Sequence, residues 1–321
     1  MKTHMFFAMA AVALLAFGSG AMVLADTFGT GENQFTLDFV PISSATNPTS
    51  GYGTVNYDYR MGTYEITNDQ WNKFKAAYGT MTGDPSYAYD EDFYNLGTGT
   101  TDVPVNNVSW YEAAQFVNWL NTSTGHQAAY KFTGTQGTSD YTFATWDAAD
   151  AWGGTNLYRH KNAFYFLPDE DEWVKAAYWN GTSLQTYATK AGESLAQGDG
   201  VSGTGWNYYN GGYATDPYGP WDVGSGSEEL NGTYEMMGNA WEWMESPYSD
   251  AAFGAGSSRG MRGGFWTNDS SYLQSSYRSH LNPTSEYDFM GFRVASVPEP
   301  GSITMLLCGA AAGLFWWRRR K

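Results

Sequence analysis

The chain has 321 residues, of which 33 are acidic and 17 basic, giving a formal net charge of −16. A surface this acidic repels nucleic acid and anionic lipid and attracts divalent cations, so we expect no nucleic-acid partner. Aromatic residues make up 17% of the chain and glycines number 38, whereas only 16% of residues are charged. This composition is typical of a loop-rich fold with a core of rings, and it excludes a disordered chain or a helical bundle.

The first 25 residues predict a secretory signal. Lys2 and His4 precede an apolar run over residues 5–17, and small residues follow up to Ala25. This order of a charged, an apolar and a small-residue region predicts cleavage by signal peptidase before Asp26. Residues 1–25 are therefore assigned to the signal peptide and 26–297 to a single domain, since no linker or repeat interrupts that span.

Three capping boxes predict three helices. In each, a short polar side chain precedes an acidic or amide residue three positions later, which satisfies two free N–H groups reciprocally. The predicted helices follow Thr67, Ser109 and Asp169, and they extend to about Tyr78, Asn121 and Trp179. The acidic run 169–172 is explained by its place in a first helical turn, where carboxylates complement the helix dipole. The alternative is a metal or acid–base cluster.

Strands are predicted where apolar and polar residues alternate, over Thr54–Arg60 and Ala163–Phe166. Long stretches rich in Gly, Asn, Ser and Thr separate these elements, at 79–103, 121–162 and 180–232. We expect buried rings to hold this irregular backbone in place. Five tryptophans are predicted first as core residues and second as sugar-stacking residues: Trp110, Trp173, Trp241, Trp243 and Trp266.

The C-terminal segment 298–321 predicts a sorting tail. Pro298-Glu299-Pro300 precedes the uncharged run Ser302–Trp317, and four basic residues end the chain. Sixteen helical residues span roughly 24 Å, short of the roughly 30 Å hydrocarbon core. The arrangement resembles the PEP-CTERM sorting signal, which implies an exosortase, removal of the tail and delivery to the cell surface or extracellular matrix of a Gram-negative bacterium. Contact with the membrane is then transient and made through the tail alone. The alternative is a plain membrane anchor with the acidic domain outside.

Five ordered motifs carry a resemblance that covers nearly all of residues 35–297. They are Tyr64–Asn68, Pro104–Trp110, Phe166–Trp173, Tyr234–Trp243, and Arg262–Trp266 together with Gly291–Val294. The domain is similar to the formylglycine-generating enzyme (sulfatase-modifying factor) family. The resemblance implies an α+β, modified C-type-lectin-like fold with few regular elements and long ordered loops.

The resemblance also implies a copper site that this sequence lacks. In the family, two cysteines hold copper, which oxidises a substrate cysteine, and Cu(I) requires such soft thiolate ligands. Asn268 and Leu273 stand at the approximate thiol positions, and the sole cysteine, Cys308, lies in the predicted tail. We therefore expect neither copper nor formylglycine-generating oxidation.

Calcium is the cofactor that the resemblance favours, because hard cations prefer oxygen ligands. The first ligand set comprises Glu235, the carbonyls of Gly238 and Ala240, and Glu242; the family often has Asn or Asp in place of Glu235. The second set comprises Asn207, the Tyr208 carbonyl, Asp216 and the Tyr218 carbonyl. The alternative for these acids is a role as surface charges or caps.

Histidines offer little support for a catalytic metal. Other branches of the family use iron held by histidines of an additional N-terminal helical domain, which we do not find in this sequence. His126, His160 and His280 are scattered and lack the spacing of helical metal ligands. Arg278 and His280 are the candidates for acid–base groups in the family's cleft.

Three functional hypotheses follow. The first is a non-catalytic binding or matrix module displayed at the cell surface, with exopolysaccharide or another surface component as its partner. The second is an oxidoreductase or other enzyme of the superfamily with a different cleft chemistry. The third is a surviving sulfatase activator, which the missing thiols argue against.

Overall fold

The computed structural model describes residues 24–79, 101–249 and 253–298. Nearly all of the predicted signal peptide and of the predicted tail therefore lies outside the described residues. Within those ranges, no helix has the length and apolar character needed to cross a membrane.

Within the described ranges, three α-helices form where the capping boxes predict them. They are α1 (Asn68–Tyr78), α2 (Trp110–Ser123) and α3 (Glu170–Tyr178). The side chains of Thr67, Ser109 and Asp169 each accept a hydrogen bond from the third helical N–H, and the residue there bonds back to the cap. The predicted helix starts are confirmed, because these reciprocal bonds depend on residues only three positions apart.

Thirteen short strands are present in the described residues. Their bounds are β1 Leu24–Phe28, β2 Phe35–Ile42, β3 Tyr59–Gly62, β4 Lys131–Thr133, β5 Thr142–Ala144, β6 Ala151–Trp152, β7 Asn156–His160, β8 Tyr165–Phe166, β9 Trp241–Pro247, β10 Arg259–Arg262, β11 Ser279–Leu281, β12 Met290–Gly291 and β13 Ala295–Ser296.

A five-stranded sheet joins the two ends of the domain. Its order is β1-β2-β3-β13-β8, and all its pairs are antiparallel. Asp26 in β1 accepts hydrogen bonds from Arg60 at 3.0 and 2.6 Å and from the Tyr165 hydroxyl at 2.9 Å. The predicted cleavage before Asp26 would remove Leu24 and Ala25 from β1 and would retain this ion pair.

A second, four-stranded sheet has the order β11-β10-β9-β12, with β9 and β12 parallel. The hairpins β4-β5 and β6-β7 lie apart from both sheets. All five tryptophans predicted as core residues are buried. Two of them form hydrogen bonds to the backbone of other segments: Trp110 Nε1 donates to the Met244 carbonyl, and Trp243 Nε1 donates to the Val108 carbonyl.

The strand predicted over Thr54–Arg60 is wrong for most of its length, because only Tyr59 and Arg60 belong to β3. The preceding residues instead bond to side chains. Gly53 N donates to Asp171 Oδ1, and Val55 N donates to Asn47 Oδ1. This segment therefore packs against the start of α3 rather than against a neighbouring strand.

The strand predicted over Ala163–Phe166 shrinks to Tyr165–Phe166 in β8. Phe164 N and Tyr165 N both donate to Asn121 Oδ1 of α2. The stretch 180–232 contains no assigned helix or strand. Trp206, Tyr208 and Trp221 are buried within it, as expected for irregular backbone held by rings.

Candidate functional site

Two adjoining cavities, of about 550 and 390 Å³, form a groove across the start of α3. Both are lined by Thr155, Asn156 and Asp169, so we call them together the Asp169 groove. The larger cavity is also lined by Thr54, Asn56, Tyr57, Trp152 and Lys161. The smaller is also lined by Tyr52, Glu170, Asp171, Ser246 and Phe253.

Asp169 caps the N-terminus of α3 and lines both cavities. Its Oδ1 accepts the Glu172 N–H at 2.8 Å, and its own N–H donates to Glu172 Oε2 at 2.6 Å. Burial is the main reason that the pKa of Asp169 lies well above its ordinary value, and the nearby Glu172 charge raises it further.

A buried ion network lies beneath Asp169. Arg159 donates to both oxygens of Glu172, at 2.8 and 2.7 Å, and through Nε to both oxygens of Glu245 at 3.0 Å. The hydroxyls of Tyr57 and Tyr130 donate to Glu172 and Glu245 respectively. Because every charged member has several partners, this network fixes the floor of the groove.

A second network holds Arg278, one of the two acid–base candidates of the cleft. Glu170 accepts hydrogen bonds from Arg262 Nε at 2.8 Å and from Arg278 at 2.8 and 2.6 Å. Tyr248 contacts both candidates: the Arg278 guanidinium lies 4.5 Å from its ring centroid, and the exposed His280 ring stacks on it at 3.9 Å. The structure thus brings Arg278 and His280 together beside the Glu170 end of the groove, with Arg278 in an ion pair.

The first predicted calcium set does not fit a cation in this arrangement. Both oxygens of Glu242 accept hydrogen bonds from Arg293, at 2.7 and 2.5 Å, and one also accepts from Trp173 Nε1. Glu235 accepts the N–H groups of Gly224 and Gly226, and burial raises its pKa to about 7.

The other two members of the first set, Gly238 and Ala240, were predicted to bind calcium through their backbone carbonyls. Gly238 has a φ of +84°, and a Cβ there would lie 2.1 Å from the Asn207 carbonyl oxygen. Glycine is therefore required at this close approach. Ala240 donates its N–H to Glu65 Oε1 at 3.1 Å, which ties the motif to the loop before α1.

The second predicted set offers oxygen ligands of the right kind. The buried Asn207 donates through Nδ2 to the Gly219 carbonyl and to Asn239 Oδ1. Asp216 and Tyr218 are exposed on the same loop, whereas the Tyr208 carbonyl accepts from Gln197 Nε2 at 2.5 Å. Carboxylate, carbonyl and amide oxygens are the kinds of ligand that a hard cation prefers.

The two thiol positions are built into a turn. Asn268 Oδ1 accepts the Phe265 N–H at 3.2 Å, and the Asn268 carbonyl accepts the Tyr209 N–H at 2.8 Å. Leu273 is fully buried. A Cβ on Gly264 would lie 3.0 Å from Leu273 Cδ1 and 3.6 Å from Asn268 Oδ1, so both side chains converge beside Gly264.

The histidines do not come together. His126 is exposed and stacks on Phe164, whereas His160 is buried, accepts the Asn162 N–H and packs edge-on against Trp146. Across the described part of the chain, no group of three or more His, Cys, Asp or Glu side chains is arranged to hold a metal ion.

Sequence reasoning missed most of the buried charges around the groove. Arg159 and Glu245 are fully buried, and each follows an aromatic or apolar residue on its strand, Tyr158 and Met244 respectively. A charge placed within a buried strand is the one signal that points to an ion pair, since such a charge requires a partner. Their pairing, across 86 positions, has no local signature.

A family model for the sulfatase-modifying factor enzyme 1-like domain matches residues 22–297. A second model, for the PEP-CTERM protein-sorting motif, matches residues 296–320. The two matches meet where the domain ends and the predicted tail begins.

Among curated proteins, the chain is similar to hercynine oxygenases. It is 27% identical over 176 residues to the one from Mycobacterium tuberculosis, covering 46% of this chain and 34% of that protein. It is 25% identical over 258 residues to the one from Mycolicibacterium thermoresistibile, covering 74% of this chain and 50% of that protein. The chain thus spans half or less of the length of these relatives.

Three solved structures share the fold. Treponema denticola variable protein 1 has a TM-score of 0.59 at 20% identity, covering 86% of this chain and 99% of that one. CarF has a TM-score of 0.58 at 21% identity, covering 82% and 99%. PvdO from Pseudomonas aeruginosa has a TM-score of 0.54 at 18% identity, covering 85% and 98%. The expected α+β, modified C-type-lectin-like fold with few regular elements is confirmed.

Proposed function

The chain belongs to the sulfatase-modifying factor enzyme 1-like family, and we propose that within it the protein is an exported, non-catalytic binding module of the cell surface. The observation that carries the proposal is the chemistry of the two thiol positions. Asn268 closes a turn and Leu273 fills the core, so neither offers a soft ligand for Cu(I). The sole cysteine of the chain, Cys308, lies within the matched sorting motif.

The sorting motif directs the chain to exosortase-dependent processing. We place the mature domain at the cell surface or in the extracellular matrix, after signal peptidase and exosortase have removed the two ends. The excess of acidic residues supports this assignment, because a strongly charged surface keeps an exported domain soluble.

Calcium is proposed as a structural cofactor of the second ligand set alone. Asn207, Asp216 and the carbonyls of Tyr208 and Tyr218 would hold it on the loop that contains Trp206 and Trp221. A bound cation supplies rigidity there, since this long loop has no helix or strand of its own.

The alternative is an enzyme with a different cleft chemistry. It draws on the relatives named hercynine oxygenase, although this chain spans half or less of their length. Arg278 and His280 are its candidates. The ion pair of Arg278 with Glu170 supports a structural role for that residue instead.

Metal content separates these proposals. The exported protein is purified from its host without added metal, and its copper, iron and calcium are measured by mass spectrometry against protein concentration. A binding module is expected to contain no stoichiometric copper or iron. One equivalent of either metal that survives dialysis would favour an enzyme.

A further inference from the structure

We propose that the Asp169 groove binds a polysaccharide chain that lacks acidic groups. The inference rests on the proposed role of this protein as a binding module and names its ligand class and its surface. The ligand is one of neutral or amine-bearing sugar rings.

The shape of the groove suits an extended polymer. Its two cavities, of about 550 and 390 Å³, are each within the range of about 300–1,000 Å³ found for ligand sites. They share three lining residues, Thr155, Asn156 and Asp169, and therefore adjoin. Successive sugar units can therefore occupy successive cavities of one continuous surface.

Aromatic rings line both cavities and remain partly exposed. Tyr57 and Trp152 meet edge to face in the larger cavity, with centroids 5.2 Å apart, and both are half-buried. Tyr52 and Phe253, also half-buried, line the smaller cavity. Such rings present flat apolar faces of the kind that pack against the C–H faces of sugar rings.

Hydroxyl and amide groups stand between these rings. Thr54, Asn56 and Thr155 are exposed in the larger cavity, and Ser246 is half-buried in the smaller. Hydroxyls and amides both donate and accept hydrogen bonds, which matches the hydroxyl groups of a sugar. Few positions carry aliphatic side chains, so an apolar peptide or lipid has little to contact.

Charge selects among polysaccharides. Asp169 and Asp171 line the groove, and its lysine, Lys161, is paired with Asp150 at 2.9 Å. The Glu170 carboxylate is paired with Arg262 and Arg278. The lining therefore offers no cation without a carboxylate partner to uronic acids, sulfates and phosphates, whereas neutral or amine-bearing sugars require none.

Thr155 provides a test that leaves the fold intact, since its side chain is exposed at the centre of the groove. Thr155→Arg places a long side chain next to Asp169 and Asp171 and obstructs both cavities. The matched control is Val201→Arg, which introduces the same side chain at a position that is 87% exposed and outside the groove lining. Asp169→Asn is a second variant that retains an effective helix cap.

The binding of the exported protein to dextran, chitin, chitosan and alginate oligosaccharides is measured by isothermal titration calorimetry. We expect binding to at least one of the first three, none to alginate, a loss of at least tenfold with Thr155→Arg, and no change with Val201→Arg. Asp169→Asn is expected to change the affinity while circular dichroism stays unchanged.

Preferential binding of alginate, equal affinity of Thr155→Arg and the parent chain, or no binding to any of the four sugars would overturn the assignment. These outcomes are independent of metal content. Failure of the groove is therefore distinguishable from failure of the proposed function, which stoichiometric copper or iron would reveal.

Discussion

Arg293 and Glu242 form a fully buried, bidentate ion pair, with Nε and Nη2 donating to the two carboxylate oxygens at 2.7 and 2.5 Å. The two residues come from different motifs of the five that carry the family resemblance. Trp173 from a third motif donates to the same carboxylate. Charged residues of these motifs therefore hold the core together, and Glu242, predicted as a calcium ligand, has this structural partner instead.

Removal of Arg293 tests that role. Arg293→Met leaves the Glu242 carboxylate unpaired in the core, so we expect the free energy of unfolding to fall by about 3–5 kcal/mol. Urea denaturation followed by tryptophan fluorescence measures the change. The control is Lys161→Ala, whose pair with Asp150 is exposed and should contribute less than about 1 kcal/mol. If the free energy of unfolding falls equally in the two variants, the buried pair stabilises the fold no more than the exposed one.

The thiol positions predict a gain of metal binding. Asn268 and Leu273 converge beside Gly264, so the double variant Asn268→Cys/Leu273→Cys should bind one equivalent of Cu(I). Competition with a chromophoric Cu(I) chelator measures this affinity. Each single variant should bind at least tenfold more weakly, because one thiolate does not form the pair. If the double variant binds no better than either single variant, the two side chains do not share a site.

A pH dependence is expected from Glu286. Its Oε1 is buried without a hydrogen-bond partner, and burial raises its pKa from 4.5 to about 7. The folded state thus binds more protons than the unfolded state between about pH 4.5 and 7, and stability falls as pH rises through this window. A fully buried group would change the free energy of unfolding by about 1.4 kcal/mol per pH unit in this window. Because Glu286 is half-exposed, its contribution is a fraction of that value.

Glu286→Gln removes this titration. Thermal unfolding between pH 4.5 and 8 should show a shallower decline for the variant than for the parent chain. Curves that remain parallel would mean that Glu286 titrates alike in the folded and unfolded states.

Calcium should stabilise the protein through Asp216. A ligand at one hundred times its Kd stabilises the folded state by about 2.7 kcal/mol, so added calcium should raise the Tm and a chelator should lower it. Asp216→Ala is expected to remove the calcium response. Glu32→Ala, which also deletes one exposed carboxylate, should retain it. A calcium response that persists in Asp216→Ala would move the site elsewhere.

Local features of the fold were predictable from the sequence. Each capping box places its partners three residues apart, so the helices that follow Thr67, Ser109 and Asp169 can be predicted without tertiary information. The strand over Thr54–Arg60 failed for the opposite reason. Its alternation has the pattern of a strand, but Gly53 and Val55 bond to side chains of α3 and of the preceding loop.

The groove was not predictable in the same way. Tyr57, Trp152 and Asp169 belong to separate segments, and only the tertiary fold brings them to one surface. Asp169 was correctly explained as a helix-capping residue, and that role is what places its carboxyl group at the junction of the two cavities. The pairing of Arg159 with Glu245 beneath it equally depends on distant strands.

The most direct test of the central claim is the fate of a substrate cysteine. The purified protein is incubated with copper, oxygen, a reductant and a sulfatase-derived cysteine peptide, and the peptide is analysed by mass spectrometry. With Asn268 and Leu273 at the thiol positions, the cysteine is expected to remain unmodified. Conversion of the cysteine to the aldehyde in proportion to protein concentration would contradict the assignment of this chain as a non-catalytic module.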